Sequence, residues 1–400
     1  MNVYPKRIIA VLCLLAAFAG CSQSPTSVGK KIIPVSSKYT THDTSFTSVG
    51  DTTFKFPQIN GSSGSFLVGN SSSVDAKALL LFYASFPDSM ASVQIDTAEL
   101  TLSADYGWNV SVPPAPGQFV IKEVLSPWSA ATVTVDSLRG LSMAPTNSAN
   151  FVITNLDTLS AGKTLTAQFD TSLVRKWINI YADTLLPRFF SIALVTKPGM
   201  TNFGIWGFSQ FGSSTPPNLE IIYEKNGIKD SVSLNIGEGT FFATSNPIQL
   251  SAGIQTQGGI SIYSLVKFQF NPPAFDSIPS NKVVINNATM LMTLKNGQRS
   301  IGYGMPDSVV AYFAGSATNF DTVAATYFGY GYRKDTTQTS NIVYTFNLTT
   351  MIQQWINAPH GNFGAQLRAI SANSAIDSHV FYSSKDTAYA PRLLITYTRK

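Results

Sequence analysis

Few side chains in this sequence could carry acid–base or metal chemistry. The chain holds three histidines, His42, His360 and His379, and two cysteines, Cys13 and Cys21. A general base needs a partner within reach, and a metal centre needs ligands at short, regular spacing. There is no His-x-x-x-His, no Cys-x-x-Cys, no Gly-x-Ser-x-Gly elbow and no phosphate-cradling glycine loop. His42 lies in or near a polar N-terminal stretch, and His360 sits in the turn Pro359-His360-Gly361. The position in the first half that corresponds to His379 holds Ile205, which argues against a shared catalytic role. Asp and Glu are scattered singly, which suits solvated positions better than the paired carboxylates of a glycosidase. The expectation is a protein that is not an enzyme, with no metal site and no cofactor.

Aromatic side chains offer a different chemistry. Their faces stack against sugar C–H groups when they are exposed and flanked by hydrogen-bonding side chains. Trp177 and Trp355 recur at helical spacing and read as core. Tyr106 and Trp108 stand in the turn-rich Ala104-Asp-Tyr-Gly-Trp-Asn109, and Trp206 has Val380 as its counterpart in the second half. Tyr330, Tyr332 and Arg333 crowd a Gly-rich loop with Tyr327, Phe328 and Lys334. These six residues, Tyr106, Trp108, Trp206, Tyr330, Tyr332 and Arg333, are the candidate ligand contacts. The alternative is that they cover loops and domain edges.

The elements that would position them repeat. Ala78–Phe82, Ile95–Leu102, Phe169–Asn179 and Pro216–Tyr223 recur in the same order as Ser264–Phe270, Ile285–Met292, Phe346–Asn357 and Ala390–Tyr397. Ala98, Leu100 and Leu102 alternate with Glu99 and Thr101, as do Leu219, Ile221 and Tyr223 with their neighbours, which is the period of a half-buried strand. Leu173, Val174 and Trp177, and Met351, Ile352 and Trp355, recur instead at helical spacing, behind the N-cap candidates Thr171 or Ser172 and Thr349. The pattern predicts an all-β protein. It comprises two tandem jelly-roll-like β-sandwich domains, each with one short capping helix, over 48–224 and 225–400. The boundary falls at the polar Glu224-Lys-Asn-Gly227.

Charged residues are 12% of the chain and the formal charge is +5, with no basic stripe, which argues against nucleic acid as a partner. At the N-terminus, Lys6 and Arg7 precede an apolar run from Ile8 to Ala19, the form of a signal peptide over 1–20. The run ends Phe18-Ala19-Gly20-Cys21, which resembles a lipobox, with Phe18 where leucine is usual. The expected product carries lipid on Cys21, and each acyl methylene adds about 0.8 kcal/mol of membrane attachment. Ser22 is not the aspartate that commonly retains such proteins in an inner membrane, so an outer membrane or cell surface is favoured. Residues 21–47, rich in Ser, Thr, Pro and Lys, read as a flexible tether.

At these landmarks the chain resembles the DNRLRE domain, a β-sandwich repeat described in disaggregatase-related proteins and related to a carbohydrate-binding module family. The second half carries the resemblance at Leu265–Phe270, Phe346–Trp355, Gly364–Arg368, Phe381–Ser384 and Pro391–Tyr397. The first half carries it at Leu79–Phe82, Ile95–Leu102, Pro127-Trp128-Ser129 and Phe169–Trp177, with Asn218 where the second half has Arg392. The resemblance implies a non-catalytic exported module with polysaccharide as its partner, alginate-type in some relatives. A structural or adhesive protein that docks other proteins is the second reading, and a polysaccharide-cleaving enzyme a remote third.

Overall fold

The structure is a computed structural model that describes residues 40–56, 64–71, 73–109, 118–146, 149–152, 163–201, 204–209, 217–245, 253–269, 283–316, 323–334, 341–357, 362–370 and 372–399. The leader, Cys21 and most of the expected tether therefore lie outside the described residues, as does His360.

The fold is all-β, and every strand pairing is antiparallel. In the first part of the chain the strands are β1 (Thr40–Lys55), β2 (Ser65–Asn70), β3 (Val74–Tyr83), β4 (Gln94–Trp108), β5 (Gln118–Val124), β6 (Ala149–Val152), β7 (Lys163–Gln168), β8 (Ser191–Thr196), β9 (Gly204–Ser209), β10 (Asn218–Lys225) and β11 (Ile228–Ser245). The rest are β12 (Ile254–Gln257), β13 (Ile262–Phe268), β14 (Val283–Ser300), β15 (Ser308–Ala314), β16 (Val323–Lys334), β17 (Val343–Asn347), β18 (Ala365–Ala369), β19 (Ser378–Phe381) and β20 (Arg392–Arg399). Their side chains obey the two-residue alternation: Ala98, Leu100 and Leu102 on β4 are buried with Leu219, Ile221 and Tyr223 on β10, while Glu99 pairs outward with Gln168.

Two helices interrupt the sheets where the helical spacing predicts them, α2 (Thr171–Ala182) and α3 (Thr349–Asn357). Each buries its tryptophan, and Trp177 packs within 5.7–6.4 Å of Phe82, Phe169 and Phe190. The expected caps are displaced toward the N-terminus. Asp170 caps α2 by accepting from the Ser172 amide at 2.9 Å, and Asn347 accepts the Thr349 amide at 3.1 Å. A further short helix, α1 (Val135–Gly140), makes the first half richer in helix than the expected one per domain.

The strands form two ten-stranded sheets, and these do not divide at residue 224/225. Strand β10 turns through Asn226 and Gly227, both left-handed at φ 53° and 79°, the conformation a two-residue hairpin needs. Strand β11 then runs back along β10 to Asn235 and continues along β3, from Tyr83 to Val74. Residues 228–245, expected in the second domain, thus complete the first sheet and close it into a ring, β11-β10-β4-β9-β2-β3 and back to β11. Strand β1 does the reciprocal. Its Thr40–Thr47 half pairs with β20 and its Ser48–Lys55 half with β13, closing the ring β1-β20-β14-β17-β16-β15-β18-β13. Residues 40–47, read as tether, are therefore strand. The physical reason is that the β20 and β13 edges carry unpaired amides and carbonyls that must find a ladder, and β1 supplies it.

Each ring holds its own apolar core, the second built on Met290, Met292, Phe346, Leu367, Phe381 and Leu393. The halves are also joined. Ile260, Ile262, Ala375 and Ile376 belong to the first core, and Gly107 and Tyr303 exchange backbone bonds, the shorter at 2.7 Å. The Tyr106 hydroxyl donates to Asp377 Oδ1 at 3.0 Å and accepts from the Ile376 amide at 3.0 Å. The Gly302 amide donates to the same carboxylate oxygen at 2.7 Å.

Exchange makes each half incomplete alone. A fragment of residues 228–400 lacks β1, and one of 40–227 lacks β11. Circular dichroism melting is expected to show no cooperative transition for either fragment alone and a cooperative one when the two are co-expressed. A sharp melt from 228–400 by itself would contradict the exchange.

Candidate ligand-binding face

Strand β16 carries the densest aromatic run. Alternation points Phe328, Tyr330, Tyr332 and Lys334 to one face and Tyr327, Gly329, Gly331 and Arg333 to the other. The inward positions demand glycine: a Cβ at Gly331 would collide with the Phe346 ring, and one at Gly329 with the Asn347 carbonyl. The stretch read as a Gly-rich loop is thus a strand packed tightly on the second core. Phe328, Tyr330 and Tyr332 are 44%, 41% and 53% exposed. Phe328 meets Tyr330 edge-on at 5.2 Å, and Tyr330 and Tyr332 lie 6.0 Å apart at 37°.

Beside this ladder the outer face of the second ring is concave. Two adjoining depressions, of about 510 and 850 Å³, share Asn287, Thr289 and Thr345. The rows run across strands. Ser45 pairs with Leu394, Leu394 with Thr289 and Thr289 with Asn347. One row along, Arg392 pairs with Leu291, Leu291 with Thr345 and Thr345 with Tyr332. The floor therefore mixes hydroxyl and amide groups with Leu291 and Leu394, the wall is aromatic, and Lys334 and Arg392 supply positive charge. Among the described residues Asp43 is the one carboxylate lining the two depressions, and it accepts from Thr396 Oγ1 at 2.7 Å.

The other candidates are elsewhere. Arg333 leaves the ladder: it pairs in register with Tyr344 and lies on the opposite face of β16 from Tyr330 and Tyr332. Tyr106, Trp108 and Trp206 are 0%, 4% and 1% exposed, so they form no stacking surface. The stretch read as turn-rich continues β4 through a bulge, pairing Tyr106 with Gly207, Gly107 with Trp206 and Trp108 with Ile205. Packing on the first core buries the two indoles, and the Tyr106 hydroxyl is held by Asp377. A third depression, about 770 Å³ and lined by Asn70, Asp75, Lys77 and Lys197 among others, has no aromatic side chain among its described lining residues.

Buried ionisable groups gather where the halves meet. Burial raises the Asp105 carboxyl to about 6, with the bond from Ser65 working against it. Burial likewise raises Asp377, with the bonds from Gly302 and Tyr106 opposing. It lowers His379 to about 4, opposed by the Asp377 charge and reinforced by Arg299. His379 Nε2 lies 3.2 Å from Asp307 Oδ1, and Tyr344 and Arg299 also bind Asp307. These groups pin structure together and do not face the groove residues. Among the described residues no three His, Cys, Asp or Glu side chains converge on a metal-sized site.

No family model matches the chain, and no curated protein or solved structure matches it. The resemblance to DNRLRE repeats rests on the residues that suggest it.

Asp105 sets a pH dependence. An acid raised by folding stabilises the native state most below its unfolded value and loses that contribution as pH rises through the folded one. Asp105 thus weakens the fold as pH climbs through about 6. His379, lowered, acts oppositely: its contribution is lost as pH falls toward about 4. Asp105→Asn is expected to raise the melting temperature at neutral pH, with the gain shrinking as pH falls into the ordinary carboxylate range. A gain independent of pH would refute the assignment.

Proposed function

We propose that the protein is an exported, lipid-anchored lipoprotein whose second ring binds polysaccharide without cleaving it. The observation that carries this reading is the aromatic ladder of Phe328, Tyr330 and Tyr332, beside a floor of Thr289, Thr345, Asn287 and Asn347. Pyranose rings present apolar C–H faces bordered by hydroxyls, and this arrangement offers ring faces bordered by hydroxyl and amide groups. Among the described lining residues Asp43 is the one carboxylate, which supports a binding role, because glycoside hydrolysis uses two carboxyl groups across the scissile bond. Lipid at Cys21 and an outer-membrane or cell-surface location complete the reading. Since β1 begins at Thr40 beside Arg399, such a tether would enter the protein at its second ring. No helix among the described residues is long and apolar enough to cross a membrane.

Docking of other proteins by strand addition is less well supported at this ring. Among the described residues each strand of the ring is paired to two others, although β1 meets β20 with one half and β13 with the other.

Affinity electrophoresis of residues 22–400 through gels containing xylan, alginate or mixed-linkage β-glucan tests the proposal. At least one polymer is expected to retard the protein. Tyr330→Ala and Tyr332→Ala are each expected to weaken retardation about tenfold, the scale of an aromatic contact of roughly 1.5 kcal/mol. Unchanged mobility of wild type in all three gels would count against the reading, and so would equal retardation of wild type and both variants.

A further inference from the structure

The ladder on β16 does not stop at that strand. From Phe328 the line of rings steps to Tyr312 on β15, at 6.1 Å. Next comes the Arg368 guanidinium on β18, 5.4 Å from the Tyr312 ring and 4.6 Å from that of Tyr263 on β13. Tyr263 meets Phe56, which follows β1, at 5.3 Å, and Phe56 meets Phe54 at 5.0 Å. The registers agree: Tyr312 is opposite Phe328, Val310 opposite both Arg368 and Tyr330, and Phe54 opposite Tyr263.

These side chains make one unbroken line across β16, β15, β18, β13 and β1. Four strand spacings of about 4.8 Å carry it roughly 20 Å across the sheet, beyond the length of the ladder itself. Each step between neighbours is 4.6–6.1 Å, comparable to the rise of one sugar unit in an extended polysaccharide. Arg368 is held between two ring faces, with its Nε donating to Gln366 Oε1 at 2.7 Å. A guanidinium in that position is planar and stacks like a ring, and with the half-buried Tyr312 and Tyr263 it continues the line between β15 and β13.

We infer that this line is an extended track for the interior of a long, linear polysaccharide, rather than a pocket for chain ends or short sugars. The inference rests on the polysaccharide reading above and adds the length and course of the bound chain. Arg368 is the positioning residue of the track, holding Tyr263 and Tyr312 at their spacing. The far end, Phe54, stands on β1 and reaches the track only because that strand is exchanged into the second ring.

The test uses residues 22–400 with xylan, alginate and mixed-linkage β-glucan, and with a disaccharide-to-decasaccharide ladder from whichever polymer retards it. Affinity is expected to climb with each added unit and to level only beyond the hexasaccharide. Tyr263→Ala and Arg368→Ala are expected to weaken polymer binding about three- to tenfold. Both should leave disaccharide binding and the melting temperature unchanged, and Tyr263→Phe should retain most of the polymer affinity.

A trisaccharide that binds as tightly as the polymer would overturn the track and leave the polysaccharide reading standing. Full polymer affinity in Tyr263→Ala and Arg368→Ala, alongside loss in Tyr330→Ala, would do the same by confining binding to the ladder. Failure of every polymer to bind would sink both. Sedimentation showing a dimer that Tyr263→Ala splits would assign this face to a second copy of the chain and overturn the track. If Arg368→Ala melts early, Tyr263→Ala and Tyr263→Phe decide the question.

Discussion

The ladder that β1 forms with β20 and β13 is the contact on which the rest of the second ring depends. Its two halves pair with different strands, Thr40–Thr47 with one and Ser48–Lys55 with the other. Without it, both neighbours would present bare backbone donors and acceptors, and the core behind them would lose the cover of Phe46. Hydrogen bonding in such ladders is modest per bond in net terms, but leaving the groups unmet is expensive. Closure also gives the ring an outer face that continues from strand to strand, and both the groove and the line of rings lie on that face.

A second constraint is the junction between the halves. Tyr106, Asp377, Gly302 and Ile376 share three hydrogen bonds in a buried setting, where each unmet group would carry a desolvation cost. Strand exchange ties the halves through the backbone, and the junction fixes them through side chains. The same burial that makes Tyr106 useful there removes it from any role on the surface. Exposed rings on β16 have the opposite origin. Two glycines let that strand settle against Phe346 and Asn347, and alternation then leaves Phe328, Tyr330, Tyr332 and Lys334 facing outward.

Much of the fold is legible in local pattern. Leu219, Ile221 and Tyr223, or Ala98, Leu100 and Leu102, alternate because one face of a sheet is dry. Trp177 and Trp355 recur because two short helices must bury them. The strand exchange is not legible, because which edge a strand pairs with depends on distant edges being free, and period-two pattern is silent on that. Ala104-Asp-Tyr-Gly-Trp-Asn109 has the composition of a turn, and its pairing with β9, packing on the first core and contact with Asp377, all with partners distant in sequence, explain why it is a buried strand. The site is half legible. Tyr330 and Tyr332 stand out as aromatics in unusual company, and their alternation with Gly329 and Gly331 is itself a strand signal that composition obscures. Tyr312, Tyr263 and Arg368 gave no such signal, since each is a single residue on a different strand and only the register assembles them.

Polysaccharide binding at this ring requires sugar to meet the outward face of β16 and its neighbours. Hydroxyl-radical footprinting with and without a retarding polysaccharide addresses it most directly. Protection is predicted at Phe328, Tyr330, Tyr332, Tyr312 and Tyr263, with Leu185 and Tyr83, exposed elsewhere, oxidised equally in both samples. Protection at Leu185 or Tyr83 with the β16 rings unchanged would contradict it.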